Sequence, residues 1–479
     1  MKIRLRPLFV ALILAYLTLP LFAQELISVE FKAERSRAYM TSNYGFFMEN
    51  GVRLYAITYT TVDLEGAKDT ASGLVVVPVR AEEFAFPTIC YLHGTVSDRN
   101  DVPSRLEGGY QAAEALGGMG FVTIAPDFLG LGTSRGVHPY VHADSEAWVS
   151  VDMLSALKEF GLQQEVFLNE QLFITGYSQG GHAAMALQRS VEMDPIDSYR
   201  LVASAPLSGP YSISTSMVHL MIGDQAYNFV AYLPHTLIGY NEVYKLYDDV
   251  VEEVFDELYV PLIRSFQEEA INLSQLNSAL LQSLMTNTGS TVPRNLMREE
   301  FLSTFSEDPE NPLFQALLDN DVYDWSPQVP TRLFYCKADD QVPYTNSVRA
   351  DSVMNSNGAS DLQALDLNSD FDHGQCVEPA LINTVFFFLQ YRDLALDVTN
   401  SKFESSRLEF FPNPAASFVR FKNPGLDMEV KIFDTQGRLI LAQYVSNGEI
   451  NISHLSPGLY LIQGEDAQGR VNTGRLIKH

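Results

Sequence analysis

The stretches 53–61, 73–79 and 87–92 are rich in β-branched and aromatic residues and are separated by turn residues, so each predicts a strand. Residues 121–125 predict a fourth. The period then changes. Val149, Val151, Leu154, Leu157 and Phe160 fall at helical spacing within 147–160. Residues 171–175 read as a buried strand running into a helix over 180–191. Strands are expected again at 201–205, 331–336 and 362–367, and a helix over 377–394 closes the block. Strands alternating with helices predict an α/β fold, with a mostly parallel sheet covered on both faces.

Residues 211–326 interrupt that rhythm with a largely helical stretch rich in Tyr, Leu and Val. Leu246, Val250, Val251, Val254, Phe255 and Leu258 recur at helix spacing and predict one helix. Asp248, Asp249, Glu252, Glu253, Asp256 and Glu257 fill its other face, read here as solvated. An insertion of this size between two strands is expected to form a cap over the site. Near residue 398 the composition shifts. Residues 399–407 read as a polar linker. From 408 to 479, short strands at 429–433, 439–444 and 459–463, separated by Gly, Asn and Pro, predict a small all-β sandwich.

The first 23 residues look like an address. Lys2, Arg4 and Arg6 precede an apolar run from Leu8 to Leu17, and a small residue, Ala23, stands before the expected cleavage point. The run is too short, and too broken by Thr18 and Pro20, to predict a membrane span. The plainer alternative is a membrane anchor. The mature chain, from residue 24, is expected to be exported. Composition narrows the function further. The net charge of −27 repels phosphate backbones and disfavours a nucleic-acid partner. Three cysteines make no disulfide-dense scaffold, and no C-x-x-C spacing suggests a zinc site.

Gly176-Tyr177-Ser178-Gln179-Gly180 is the strongest chemical signal. A strand is expected to run into this G-x-S-x-G and a helix out of it, the context of a nucleophile elbow. A serine hydroxyl needs a base, and the base an orienting acid. In such folds the acid and then the base follow the serine in chain order. His182, His219, His235 and His373 lie between Ser178 and the linker. His182 is on the elbow helix, where local packing is expected, and His219 and His235 fall in the cap. His373, at a loop start beyond the last predicted strand, is the base by position. Asp339, just after the strand at 331–336, is the candidate acid, and Asp340 reads as a turn or helix-cap residue. The oxyanion needs two N–H donors. Gln179, after the nucleophile, supplies one. Thr95, in His93-Gly94-Thr95 after the third strand, is expected to supply the other, with His93 supporting the loop.

These residues resemble the α/β-hydrolase family, and more narrowly the secretory lipases, over roughly residues 50–395. The resemblance rests on His93-Gly94-Thr95, on Ala125-Pro126-Asp127-Phe128-Leu129-Gly130-Leu131-Gly132, on the stretch from His138 to Ser145, on the elbow, and on Asp339-x-x-Val342-Pro343. It implies an α/β-hydrolase fold over 24–398 with a helical cap at about 211–326. It implies Ser178, Asp339 and His373 as the triad, a lid with an acyl tunnel, Asp127 as a structural turn residue, and hydrolysis of carboxylic esters, many of them lipid esters. The tail resembles a type IX secretion sorting domain. Phe411-Pro412-Asn413-Pro414, Asp434-Thr435-Gln436-Gly437-Arg438, Leu455-x-x-Gly458-x-Tyr460 and Lys478 carry that likeness, with Phe411 where Tyr is common. It implies the type IX machinery as a partner and a secreted or cell-surface location. The alternative for the tail is a carbohydrate-binding sandwich.

If the acid and base loops are neighbours, Cys336 and Cys376 are expected to form a disulfide there, leaving Cys90 as a buried thiol. The sequence therefore predicts a secreted serine ester hydrolase that needs no metal or organic cofactor. A serine peptidase on the same fold is the enzymatic alternative. A surface adhesion protein with a retired hydrolase fold is the alternative of another class.

Overall fold

The structure, a computed structural model, describes residues 26–80, 84–305, 310–394, 408, 410–422, 428–434, 438–446, 448–466 and 471–479. The expected leader at 1–23 and linker at 399–407 lie outside the described residues.

Nine strands form one sheet: β1 Leu26–Arg35, β2 Gly51–Val62, β3 Lys68–Val79, β4 Phe86–Leu92, β5 Val122–Pro126, β6 Leu168–Tyr177, β7 Arg200–Leu207, β8 Thr331–Tyr335 and β9 Leu362–Asp366. Their order is β1-β2-β3-β5-β4-β6-β7-β8-β9. The first three are antiparallel to their neighbours, and β5-β4-β6-β7-β8-β9 run parallel. Both faces are covered, as the buried apolar stretches of β4 and of the second half of β6 require. Leu172 and Ile174 point to one face and meet Val149, Leu154 and Leu187 from the helices Ala143–Gln164 and Gln179–Met193. Phe173 points to the other face and meets Leu116 and Phe388 from the helices Tyr110–Gly118 and His373–Leu389. That alternation is the pleat of a strand buried on both sides.

Three elements depart from the sequence expectation. β1 was not predicted. It is an edge strand whose residues are mostly exposed or half-buried, so it lacks a strong apolar alternation. The helix expected across 246–258 is only Val250–Val254, started by Asp249, whose carboxylate accepts from the Val251 and Glu252 amides. Phe255 turns extended and bridges to Met297, a distant partner that local periodicity cannot reveal. The closing helix begins at His373 rather than 377 and ends at Leu389. Asp372 and Gln375 form a capping box at its start, so His373 is the first helical residue and not part of a loop.

The insertion between β7 and β8 is largely helical and has its own core, in which Val251, Ile263, Leu276 and Leu280 are buried. The C-terminal region is antiparallel throughout its named strands. β10 Phe410–Phe411, β11 Phe418–Phe421 and β14 Glu449–Asn451 make one sheet. β12 Met428–Phe433, β13 Leu439–Val445, β15 Gly458–Asp466 and β16 Val471–Lys478 make the other, in the order β13-β12-β15-β16. Val419, Val430, Ile432, Ile450 and Ile462 form the buried core of this region. Among the described residues no helix is long and apolar enough to cross a membrane.

Candidate active site

Ser178 stands where β6 turns sharply into the helix Gln179–Met193, with φ 61° and ψ −122°. For a residue with a Cβ this is a strained conformation, tolerated when the surroundings over-determine it. Here they do. A Cβ on Gly176 would lie 2.2 Å from the Gly180 carbonyl oxygen, and one on Gly180 only 1.9 Å from the Leu92 carbonyl oxygen. Glycine at both positions is therefore a steric requirement of packing the elbow against the end of β4. The Ser178 amide donates to Leu207 O (3.0 Å), which ties the turn to β7 as well.

Asp339 follows β8 in a tight turn that clamps one carboxylate oxygen. Asp339 Oδ1 accepts from the amides of Gln341 (2.9 Å) and Val342 (2.8 Å). Its Oδ2 lies 2.7 Å from His373 Nδ1, and both side chains are buried. Asp340 does not share that bond. Its Oδ1 accepts from the His373 backbone amide (3.2 Å), so the two adjacent carboxylates serve the ring and the helix start respectively. Tyr177 closes the third side. Its hydroxyl donates to His373 O (2.6 Å) and its ring packs 4.8 Å from the imidazole. With Nδ1 facing the carboxylate, Nε2 is the ring nitrogen left for other chemistry. Among the described residues Ser178 Oγ makes no hydrogen bond to that ring.

Cys336, immediately after β8, is disulfide-bonded to Cys376 in the first turn of the His373 helix, and both are buried. Cys90 is a buried free thiol. The bond joins the segment carrying Asp339 to the helix carrying His373.

The Gln179 amide opens the elbow helix, where the first N–H groups lack intrahelical partners. Gly94 packs against the elbow: a Cβ there would sit 3.2 Å from Tyr177 O and 3.6 Å from Ser178 Cβ. Thr95 comes next, and its hydroxyl is hydrogen-bonded to Tyr140 OH (2.7 Å). His93 Nδ1 lies 2.8 Å from Gly94 O and Nε2 3.3 Å from Asp127 O, which is a loop-supporting arrangement. Asp127 is buried and accepts from Ser72 Oγ (2.6 Å) and Ser104 N (3.0 Å), a structural anchor. All these positions follow the carboxyl ends of parallel strands, where open α/β sheets bind ligands.

A cavity of about 90 Å³ begins at Ser178, Gln179 and Val342 and runs into the cap between Met217, Leu237 and Phe301. Its wall is apolar. Cap and site are hydrogen-bonded: Tyr227 OH donates to Gln341 O (2.8 Å) and Tyr232 OH to Gln341 Oε1 (2.8 Å). Among the described residues no cluster of three or more His, Cys, Asp or Glu is arranged to hold a metal ion. Sequence reasoning assigned no role to the side chains of Tyr177, Tyr140 or Gln341, although Tyr177 and Tyr140 lie inside the quoted motifs. Each acts through a partner far away in the chain.

No curated protein matches this sequence. Residues 409–479 match the family described as secretion system C-terminal sorting domain. Among solved structures, the chain resembles the rice cell wall degrading esterase LipA from Xanthomonas oryzae, at 26% identity and a TM-score of 0.65, covering 75% of this chain and 95% of that one. A putative hydrolase from Legionella pneumophila aligns at 26% identity with a TM-score of 0.69, over 77% of this chain and 98% of that one. Candida antarctica lipase A shares the fold, at 15% identity and a TM-score of 0.53, over 77% and 81% of the two chains. The chain thus joins an α/β-hydrolase fold like that of these esterases and lipases to a C-terminal secretion sorting domain.

Proposed function

We propose that this protein is an exported serine hydrolase of carboxylic esters, carried by Ser178, His373 and Asp339. The observation that supports it most is the buried Asp339–His373 hydrogen bond, built at strand ends that share a site with a strained serine opening onto an apolar cavity. The likeness to solved esterases at 26% identity points the same way.

In this reading Ser178 Oγ attacks the ester carbonyl as His373 Nε2 takes its proton. Asp339 holds the Nδ1–H tautomer and stabilises the imidazolium that forms. The tetrahedral oxyanion is held by the N–H groups of Gln179 and Thr95, each such donor being worth about 10²–10³ in rate. Collapse expels the alkoxide, which takes the proton from His373. Water then attacks the acyl-serine by the same path. The acyl group occupies the cap cavity, whose apolar wall suits a hydrocarbon chain. Residues 24–398 form the catalytic part and 408–479 the sorting part, read as a substrate of type IX secretion to the cell surface or beyond.

The test is hydrolysis of p-nitrophenyl esters from about two to sixteen acyl carbons by wild type and Ser178→Ala, a series that spans short and long hydrocarbon chains. Turnover is expected in the wild type and absent in the variant. Equal turnover in both, or none in a folded wild type, refutes the reading.

A further inference from the structure

Behind the elbow lies a buried polar chain that the proposed chemistry does not use. Gln179 Nε2 donates one hydrogen to Glu146 Oε1 (3.0 Å) and the other to His138 Nε2 (2.9 Å). His138 Nδ1 faces Leu129 O (2.7 Å), so that nitrogen carries the ring proton and Nε2 is an acceptor. Burial lowers the pKa of His138 to about 4, which keeps this neutral form at ordinary pH. On the other side, Glu146 Oε2 lies 2.7 Å from His182 Nδ1, and His182 Nε2 lies 2.9 Å from Asn320 O. The carbonyl requires a donor at Nε2, so one further proton lies between Nδ1 and the carboxyl. Asn320 in turn accepts from Ala143 N (2.7 Å) and donates to Tyr244 OH (3.0 Å).

Glu146, Gln179 and His182 are each at most 1% exposed. Burying a carboxylate and an imidazole costs several kcal/mol unless both are fully partnered, and apolar side chains would fill the same space at less cost. The chain is also aimed. It ends on the side chain of the residue immediately after Ser178, whose backbone N–H is the oxyanion donor in the reading above.

Resting on that reading, we propose that Glu146, supported by His182, is a positioning residue for the oxyanion hole. It grips the Gln179 side chain and so fixes the direction of the Gln179 N–H. A tether of this kind acts on the transition state, where the oxygen is charged and displaced, more than on the ground state. It should therefore appear in kcat and not in KM.

The geometry also distinguishes two substitutions at one position. Glu146→Gln keeps an acceptor for Gln179 and offers an N–H to His182 Nδ1, so every partner remains served. Glu146→Leu fills the space but serves none. In the full chain, Glu146→Leu should lower kcat on a p-nitrophenyl ester by about ten- to a hundredfold with KM within about twofold, a partial loss of one donor. It should slow phosphonylation of Ser178 by a fluorophosphonate by a similar factor. Glu146→Gln should retain kcat within about threefold. Gln179→Met cuts the same bond from the other end and leaves the N–H in place, so it should reproduce the Glu146→Leu loss even if that variant fails to fold.

Wild-type kcat in a folded Glu146→Leu or Gln179→Met protein overturns the tether. Glu146→Gln as slow as Glu146→Leu also overturns it, because charge rather than hydrogen bonding is then the requirement. A wild type that reacts with the fluorophosphonate at Ser178 but hydrolyses no ester overturns the ester reading alone, and the phosphonylation rates still decide the tether.

Discussion

Replacing Cys336 and Cys376 together by Ala removes the covalent link between the Asp339 segment and the His373 helix. The cross-link spans a sequence separation of 40. Closing a loop of that length removes about 13 cal/mol/K from the unfolded chain, or about 4 kcal/mol at about 25 °C. A folded unit of about 370 residues unfolds with an entropy of about 0.8 kcal/mol/K, so the midpoint should fall by about 5 °C. The effect on turnover should be smaller than the effect on stability. Asp340 still holds the His373 amide and Tyr177 still holds its carbonyl, so the imidazole keeps two backbone anchors. A loss in kcat of about tenfold or less, with KM unchanged, is expected from the looser geometry. Near-UV circular dichroism during heating gives the midpoint, and initial rates well below both midpoints give kcat. Both sulfurs are buried, so a reductant without denaturant should leave the wild-type kcat unchanged well below the midpoint, while heating in its presence should lower the midpoint, because the unfolded chain exposes the bond. A midpoint within a degree of wild type for the double variant would falsify the reasoning.

Gly180→Ala should be far worse than a surface Gly→Ala change. Its Cβ would meet the Leu92 carbonyl at 1.9 Å, a backbone group that cannot rotate away, so a loss beyond the ~1–3 kcal/mol of ordinary overpacking is expected. A soluble variant with wild-type midpoint and turnover would show that the elbow can relax. Acid should act through two histidines. Burial lowers the pKa of both His138 and His142 from 6.5 to about 4, so the unfolded chain takes up these protons first as pH falls. Their contribution to stability is present in full above about pH 6.5 and is lost progressively down to about pH 4, about 3 kcal/mol for His138. His142→Asn keeps an acceptor for the Ser145 amide but cannot titrate. Its urea midpoint should therefore fall less than that of wild type between pH 7 and pH 4.5, while carboxylate protonation cancels in the comparison. Parallel falls would remove His142 from the account.

The elbow was legible because its steric demand leaves a mark in residue type. Gly176 and Gly180 are glycine because neighbouring carbonyls leave no room for a Cβ, and a pattern of letters can carry that fact. The α/β alternation was legible for a similar reason, since strands buried on both faces carry short apolar runs, residues 89–92 in β4 and 172–174 in β6. Adjacent carboxylates at a strand end point different ways, which is why Asp339 alone is read as the candidate acid, and the structure sends Asp339 to the His373 ring and Asp340 to its backbone. Partnership across the fold was not legible. Glu146 looks like any acid in the first turn of a helix, and His182 looks like local packing on the elbow helix. Only the folded chain puts their side chains 2.7 Å apart. The truncated helix at Val250–Val254 fails for the same reason: local periodicity favoured continuation, and a bridge from Phe255 to Met297 ended it.

The separation of the site's parts along the chain also sets when the site can exist. Tyr177, next to the serine, bonds to His373 across 196 positions, and the whole cap intervenes. A ribosome that has released β1 to β7 has exposed the serine but has made neither Asp339 nor His373. The site cannot assemble until β8 and β9 have docked in parallel register on the far edge of the sheet, by crossovers that are slow to form. In the proposed reading, hydrolytic competence is thus among the last properties this chain acquires, and its appearance during refolding would time the closure of that edge.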